Sequence, residues 1–188
     1  MINRTKLLSM TVCAALSAAL LTGCGGGAAS QASSAASAPA ASSAASTSAA
    51  EPENGSAALD NAYSTLEAAN PISNPFAIDA MSIEFDFGLK AEDVAAYKGV
   101  KSNDNGDAGL VLVVQAASGK AQAVVDAMKE YQQTLINTCS NYPDDFAQAL
   151  ENANNAIITS KGDLVAMVVN SNECTADLSA TVDSALNG

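Results

Sequence analysis

The sequence predicts an α+β domain: a mainly antiparallel sheet of about four strands, arranged as two hairpins, with helices packed on one face. Three observations predict it. Extended apolar runs flank two short polar turns, one around Asn105-Gly106 and one at Ser160-Lys161-Gly162-Asp163. Segments with apolar residues at i, i+3, i+4 and i+7 lie before, between and after these hairpins. Residues 57–188, about 130 in number, suffice for one domain with a modest core and not for two.

Ser56 can cap a first helix whose stripe is Leu59, Ala62, Tyr63 and Leu66, ended by Asn70-Pro71. Pro71 and Pro75 mark a loop. From Met81 to Phe87 the pattern alternates, with Ile83, Phe85 and Phe87 on one side and Glu84 and Asp86 on the other, which predicts a short strand. A helical turn is expected over 91–96. An extended piece around Tyr97 to Lys101, the polar loop Ser102 to Asp107 and the run Leu110 to Val114 then make the first hairpin. That unbroken run suits a strand that is central or covered on both faces.

Ser118 is the expected cap of the longest helix, with Ala121, Val124, Val125, Met128, Tyr131, Leu135 and Cys139 on its packing stripe. Asn141-Tyr142-Pro143 breaks it. Pro143, with Asp144 and Asp145, suits the start of another helix that turns Phe146 and Leu150 inward. Ala156 to Ser160 and Leu164 to Val169 form the second hairpin, and Leu178, Val182, Ala185 and Leu186 give a last helix covering the sheet.

The first fifty residues carry a different message. Arg4 and Lys6 precede the uncharged stretch Leu7 to Leu21, the pattern of a secretory signal over residues 1–23. At about fifteen residues the stretch falls short of the roughly 20 that span a bilayer. It ends in Leu21-Thr22-Gly23-Cys24, which resembles the lipobox of bacterial lipoproteins. The resemblance implies that the Cys24 thiol receives a diacylglyceryl group and that cleavage after Gly23 makes Cys24 the mature N-terminus. Two acyl chains, at ~0.8 kcal/mol per buried methylene, anchor stably where one does not. The expected location is the extracellular face of the cytoplasmic membrane.

Residues 24–56 then read as a lipidated N-terminus and disordered linker. Residues 28–50 contain twelve Ala and eight Ser and no charge or large apolar side chain, so they cannot offset their ordering entropy. A coil of about 30 residues reaches roughly 30 Å.

Composition excludes much familiar chemistry. Without histidine, no Ser-His-Asp triad, Cys-His dyad or imidazole-ligated metal can form, and no cofactor is expected. Loss of Arg4 and Lys6 with the signal takes the net charge from −12 to about −14, because all twenty carboxylates lie beyond residue 50. Such a surface disfavours nucleic acid and anionic headgroups, so the membrane contact is assigned to the lipid. Cys139 and Cys174 either pair across a loop of about 34 residues, worth at most ~4 kcal/mol, or stand as two small buried thiols.

The Asp104 to Asp107 loop invites a calcium reading. Aligning Gly106 with the sixth EF-hand position, however, puts Lys101 first and Leu112 twelfth, where carboxylates are needed, so no metal site is assigned. No catalytic residue is assigned either.

Residues 86–170 resemble an uncharacterised domain-of-unknown-function family of small lipoproteins from clostridial Gram-positive bacteria. The features are Phe87-Gly88-Leu89 with Glu92-Asp93, the hairpin into Leu110 to Val114, the long helix, Tyr142-Pro143 with its acidic turn, and Lys161-Gly162-Asp163-Leu164-Val165. Members often carry an acidic pair before the second strand, where Ala108-Gly109 stand here. The resemblance implies location and fold and supplies no catalytic residues.

The expected function is therefore a membrane-anchored surface lipoprotein with a non-catalytic binding or structural domain, its partner an envelope protein or component. The alternatives are a lipoprotein that captures a cation or small solute, and an enzyme using carboxylates, or Tyr97, Tyr131 or Tyr142, as acid and base.

Overall fold

The computed structural model describes residues 55–188; the signal segment, Cys24 and nearly all of the Ser/Ala-rich stretch and its flanks lie outside them. Over the described residues the elements are α1 (Ala57–Ala69), β1 (Pro75–Ala77), β2 (Val94–Ser102), β3 (Leu110–Ala116), α2 (Ala121–Ser140), α3 (Ala147–Asn154), β4 (Ile157–Lys161), β5 (Leu164–Val169) and α4 (Ser179–Asn187). A π-helical turn (Ser82–Asp86) and a short 3-10 turn (Ala91–Asp93) join β1 to β2.

The strands form one antiparallel sheet in the order β1-β2-β3-β5-β4. There are five strands rather than about four. The addition is β1, three residues that the two prolines had marked as loop and that pair with the end of β2, Phe76 opposite Lys101. Proline is tolerated there because β1 is an edge strand.

Helices cover both faces of the sheet, which corrects the expectation of one covered face. Leu110, Leu112, Val114, Val165, Met167 and Val169 turn towards α2 and α3, joining Val124, Met128 and Ala149 in one core. Val111, Val113, Ala166 and Val168 turn the other way, against Leu59, Ala62 and Leu66 of α1 and Val182 and Ala185 of α4. The physical reason is visible in the two central strands. They are apolar at successive positions, so neither face can be left to water.

Most elements form where their sequence directs. The Ser56 hydroxyl accepts from the Leu59 N–H at 3.2 Å, capping α1 as expected. Helix α2 instead begins after Lys120, without a side-chain cap, and Ser118 lies in the preceding turn. Helix α3 begins at Ala147 rather than Pro143, because Tyr142 to Phe146 form a turn closed by Phe146 N–H to Tyr142 C=O.

Beyond the start of β3 and the end of β5, a buried polar knot holds the layers together. Asn70 and Ser171 are each 1% exposed. The Asn70 amide donates to the Val169 carbonyl at 2.8 Å and, at 3.4 Å, to that of Leu110, while its oxygen accepts from the Ser171 N–H at 3.0 Å. The Ser171 hydroxyl donates to the Pro71 carbonyl and accepts from the Cys174 N–H. Helix α1 is thereby joined to two central strands.

Candidate functional site

The segment read from sequence as a strand at Met81 to Phe87 is the main local departure, and it builds one wall of a pocket. Asp79 starts it: one carboxylate oxygen accepts from the Ser82 N–H at 2.8 Å, and the Asp79 carbonyl accepts from Ile83. This backbone hydrogen bond holds the Asp79 carboxyl below the usual carboxylate range. The turn then widens, with Phe87 N–H reaching the Ser82 carbonyl five residues back at 3.0 Å. Insertions of this kind recur at functional sites. Gly88, with φ of +64°, reverses the chain so that Leu89 N–H returns to the Ile83 carbonyl.

The wide turn redistributes the apolar residues. Ile83 and Phe87 point inward, whereas Phe85 is 72% exposed and Met81 67% exposed. Sequence alternation had placed Ile83, Phe85 and Phe87 on one side. The segment is pinned at two points. The Phe87 ring stacks on Tyr131 of α2, with centroids 4.1 Å apart. Asp93 binds Lys120 at 2.8 Å, and its carbonyl accepts from Ala117.

Between the pins lies a pocket of about 450 Å³. Its floor is Ile83, Leu89, Val94 and Tyr97, and the charged side chains at its exposed mouth are Glu84, Lys90 and Glu92. Neighbouring Asp86 and Asp93 are held by Lys101 and Lys120, but Glu84, Lys90 and Glu92 take part in none of the ion pairs among the described residues. The pocket has the size and the mainly apolar wall of a small-ligand site, with charges set at its edge.

On the other side of the π-helical turn, Phe85, Asp86, Lys101, Tyr131, Thr134, Leu135 and Thr138 enclose a second hollow of about 380 Å³. Lys101 bonds Asp86 at 2.7 Å and lies 5.7 Å from the centre of the Phe76 ring. Burial, reinforced by the Asp86 carboxylate, pushes the Tyr131 phenol up to about 12, so it stays protonated at neutral pH.

The three tyrosines singled out by sequence fall in three separate hollows. Tyr97 lines the pocket, Tyr131 lines the second hollow, and Tyr142 lies with Asn105, Asp145 and Phe146 in a third. The three tyrosines do not meet one another; Tyr97 shares its pocket with Glu84 and Glu92, and Tyr131 shares its hollow with Asp86. In the acidic loop both carboxylates are engaged internally: Asp104 accepts from Ser73 and Asn74 at 2.8 and 2.9 Å, and Asp107 accepts from the Gly109 and Asn172 N–H groups at 3.0 Å. The Asn74 amide and Ser73 hydroxyl hold the Asp104 carboxyl below its ordinary range. Among the described residues no group of three His, Cys, Asp or Glu side chains is placed to hold a metal ion.

Cys139 and Cys174 are both free, so the bridge that the sequence allowed is not formed. Cys139 belongs to the core on the α2 side and Cys174 packs against the core on the α1 side, with the sheet between them. Burial raises the Cys139 thiol above its usual range, which keeps it an unreactive thiol. Cys24 lies outside the described residues. No described helix is long and apolar enough to cross a membrane.

Gly109, before the second strand of the first hairpin, has a packing reason. A Cβ on Gly109 would sit 2.7 Å from the Ser171 Cβ and 2.9 Å from its Cα. Sequence reasoning missed the pocket because period-two spacing at Ile83, Phe85 and Phe87 imitates a strand. The local signals against that reading were Asp79 three residues before Ser82, as a turn-capping acid, and Gly88 directly after Phe87.

Comparisons with curated proteins and with solved structures found no match. A family model for a domain of unknown function, DUF4358, matches residues 70–170. That match begins at the knot residue Asn70 and ends just after β5, spanning the whole sheet and the pocket, and because it covers more than half of the sequence the chain belongs to the DUF4358 family.

Proposed function

We propose that this protein is a surface lipoprotein, held by a diacylglyceryl group on Cys24 at the outer face of the cytoplasmic membrane, whose domain is a non-catalytic binding module. Leu21-Thr22-Gly23-Cys24 supports the anchor, and the Ser/Ala-rich stretch after it supports display at a distance from the bilayer. The observation that carries the binding role is the π-helical turn. It exposes Met81 and Phe85 to water on a strongly acidic domain, beside a pocket with apolar walls. Phe85 lines the second hollow, and two large apolar side chains exposed together mark an interaction surface.

The hydrogen bonds that the Asp104 and Asp107 carboxylates accept from Ser73, Asn74, Gly109 and Asn172 favour a structural role for that loop. Two measurements on cells test the proposal. Radiolabelled palmitate should enter the wild-type protein, and Cys24→Ser should abolish labelling and release the protein from the membrane fraction. A photoreactive phenylalanine analogue at position 85 should cross-link an envelope component on illumination, and the same analogue at exposed Thr175, which lines neither hollow beside the π-helical turn, should do so less. Unlabelled wild-type protein overturns the anchor; equal or absent cross-linking at both positions overturns the binding surface.

A further inference from the structure

We infer that the pocket beside the π-helical turn is a site for a small amphipathic amine, an apolar body carrying one ammonium group. The inference rests on the binding role proposed above and names the ligand chemistry of that same site. The floor supplied by Ile83, Leu89, Val94 and Tyr97 accommodates an apolar body, and about 450 Å³ matches a small molecule rather than a folded partner. Orientation falls to the mouth, where Glu84, Glu92 and Lys90 leave one negative charge in excess. None of the three forms an ion pair among the described residues, although the Glu92 carboxylate adds to the field of Asp93 at the Lys120 ammonium.

The wider field has the same sign. Residues 55–188 hold eighteen carboxylates and six lysines, and Lys98, Lys101 and Lys120 are already paired with Asp60, Asp86 and Asp93. A cation is therefore drawn towards the domain and an anion repelled. A bare metal ion fits poorly. Calcium and magnesium require six or more oxygen ligands, whereas this floor is hydrocarbon and a phenol ring. An ammonium group needs only one or two carboxylates while its apolar body leaves water.

The test uses the whole mature chain carrying Cys24→Ser, labelled with ¹⁵N, and three probes of nearly equal shape: phenethylammonium, the neutral 2-phenylethanol and the anionic hydrocinnamate. Phenethylammonium should shift the amides of Gly88, Leu89, Ala91 and Tyr97 saturably. The alcohol should bind about fivefold more weakly, the contribution of partly exposed ion pairs, and hydrocinnamate more weakly still. Glu84→Gln with Glu92→Gln should bring the amine down to the level of the alcohol, and Lys90→Ala should raise amine affinity; dispersed spectra confirm that each variant is folded.

Equal shifts from all three probes would overturn the amine assignment while leaving a binding pocket. No shift at these amides from any probe overturns the pocket as a small-ligand site. Cross-linking at position 85 in cells separates that result from failure of the binding surface itself.

Discussion

At the Leu110 end of β3, polar side chains are bonded to the protein itself; near the Ala116 end, exposed charged side chains stand outside any ion pair among the described residues, beside an apolar floor. Asn70 bridges two strand carbonyls and an N–H, Ser171 bonds Pro71 and Cys174, and Asp107 holds Gly109 and Asn172. By contrast, Glu84, Lys90 and Glu92 surround the mouth of the pocket over Val94 and Tyr97, and Val94 pairs with Ala116. The contrast separates what the fold needs from what it leaves available. Buried polar groups without partners cost free energy, so the knot is a stability device. Exposed charges without partners cost the fold little, so they are available to a ligand.

The largest expected effect comes from breaking the knot. Asn70→Ala leaves two carbonyls and an N–H without their buried partner and should lower unfolding free energy by about 2–4 kcal/mol in urea titrations. Gly109→Ala comes next. The new methyl group meets Ser171 at 2.7 Å, where the backbone must shift, and the expected loss is about 1–3 kcal/mol.

Acid should weaken both ends. Asp104 and Asp79 have depressed values in the folded state, held down by Asn74 and Ser73 in one case and by the Ser82 N–H in the other. A lowered folded value means that their stabilisation is complete above the unfolded carboxylate value of about 4 and is lost as pH falls through the lower folded values. Urea midpoints followed downwards from pH 5 should therefore fall below about pH 4, and Asp104→Asn should make that fall shallower.

The smallest expected effect on stability, and the sharpest on binding, is Phe85→Ser. The ring is 72% exposed, so unfolding free energy should change by no more than about 0.5 kcal/mol. Retention of the envelope cross-linking partner, read from a second photoreactive site at Met81, should nonetheless drop.

Legibility in the sequence followed the same division. Helix α1, the β4-β5 hairpin and the central strand β3 were readable because their patterns are local: a serine cap, a Lys-Gly turn and an unbroken apolar run. The run at Leu110 to Val114 also contained the evidence for two covered faces, since alternate residues enter opposite cores. The knot was not readable, because Asn70 meets Val169 and Ser171 about a hundred residues away and no local pattern announces such a pair. The pocket was hidden by a coincidence of periods. Ile83 and Phe87, four apart, face inward in a helical turn as readily as in a strand, and the apolar pattern itself leaves the placing of Phe85 open. Cys139 and Cys174 illustrate a further limit, since their separation by a sheet belongs to topology alone.

The central claim is that the two ends answer to different demands, and paired urea unfolding of Glu84→Gln/Glu92→Gln and Asn70→Ala tests it most directly. The account predicts that removing both carboxylates leaves the unfolding free energy unchanged or slightly higher, since like charges at the mouth repel, while Asn70→Ala loses about 2–4 kcal/mol. A loss above about 1 kcal/mol in the double glutamine variant would show the carboxylates to be structural and would contradict it.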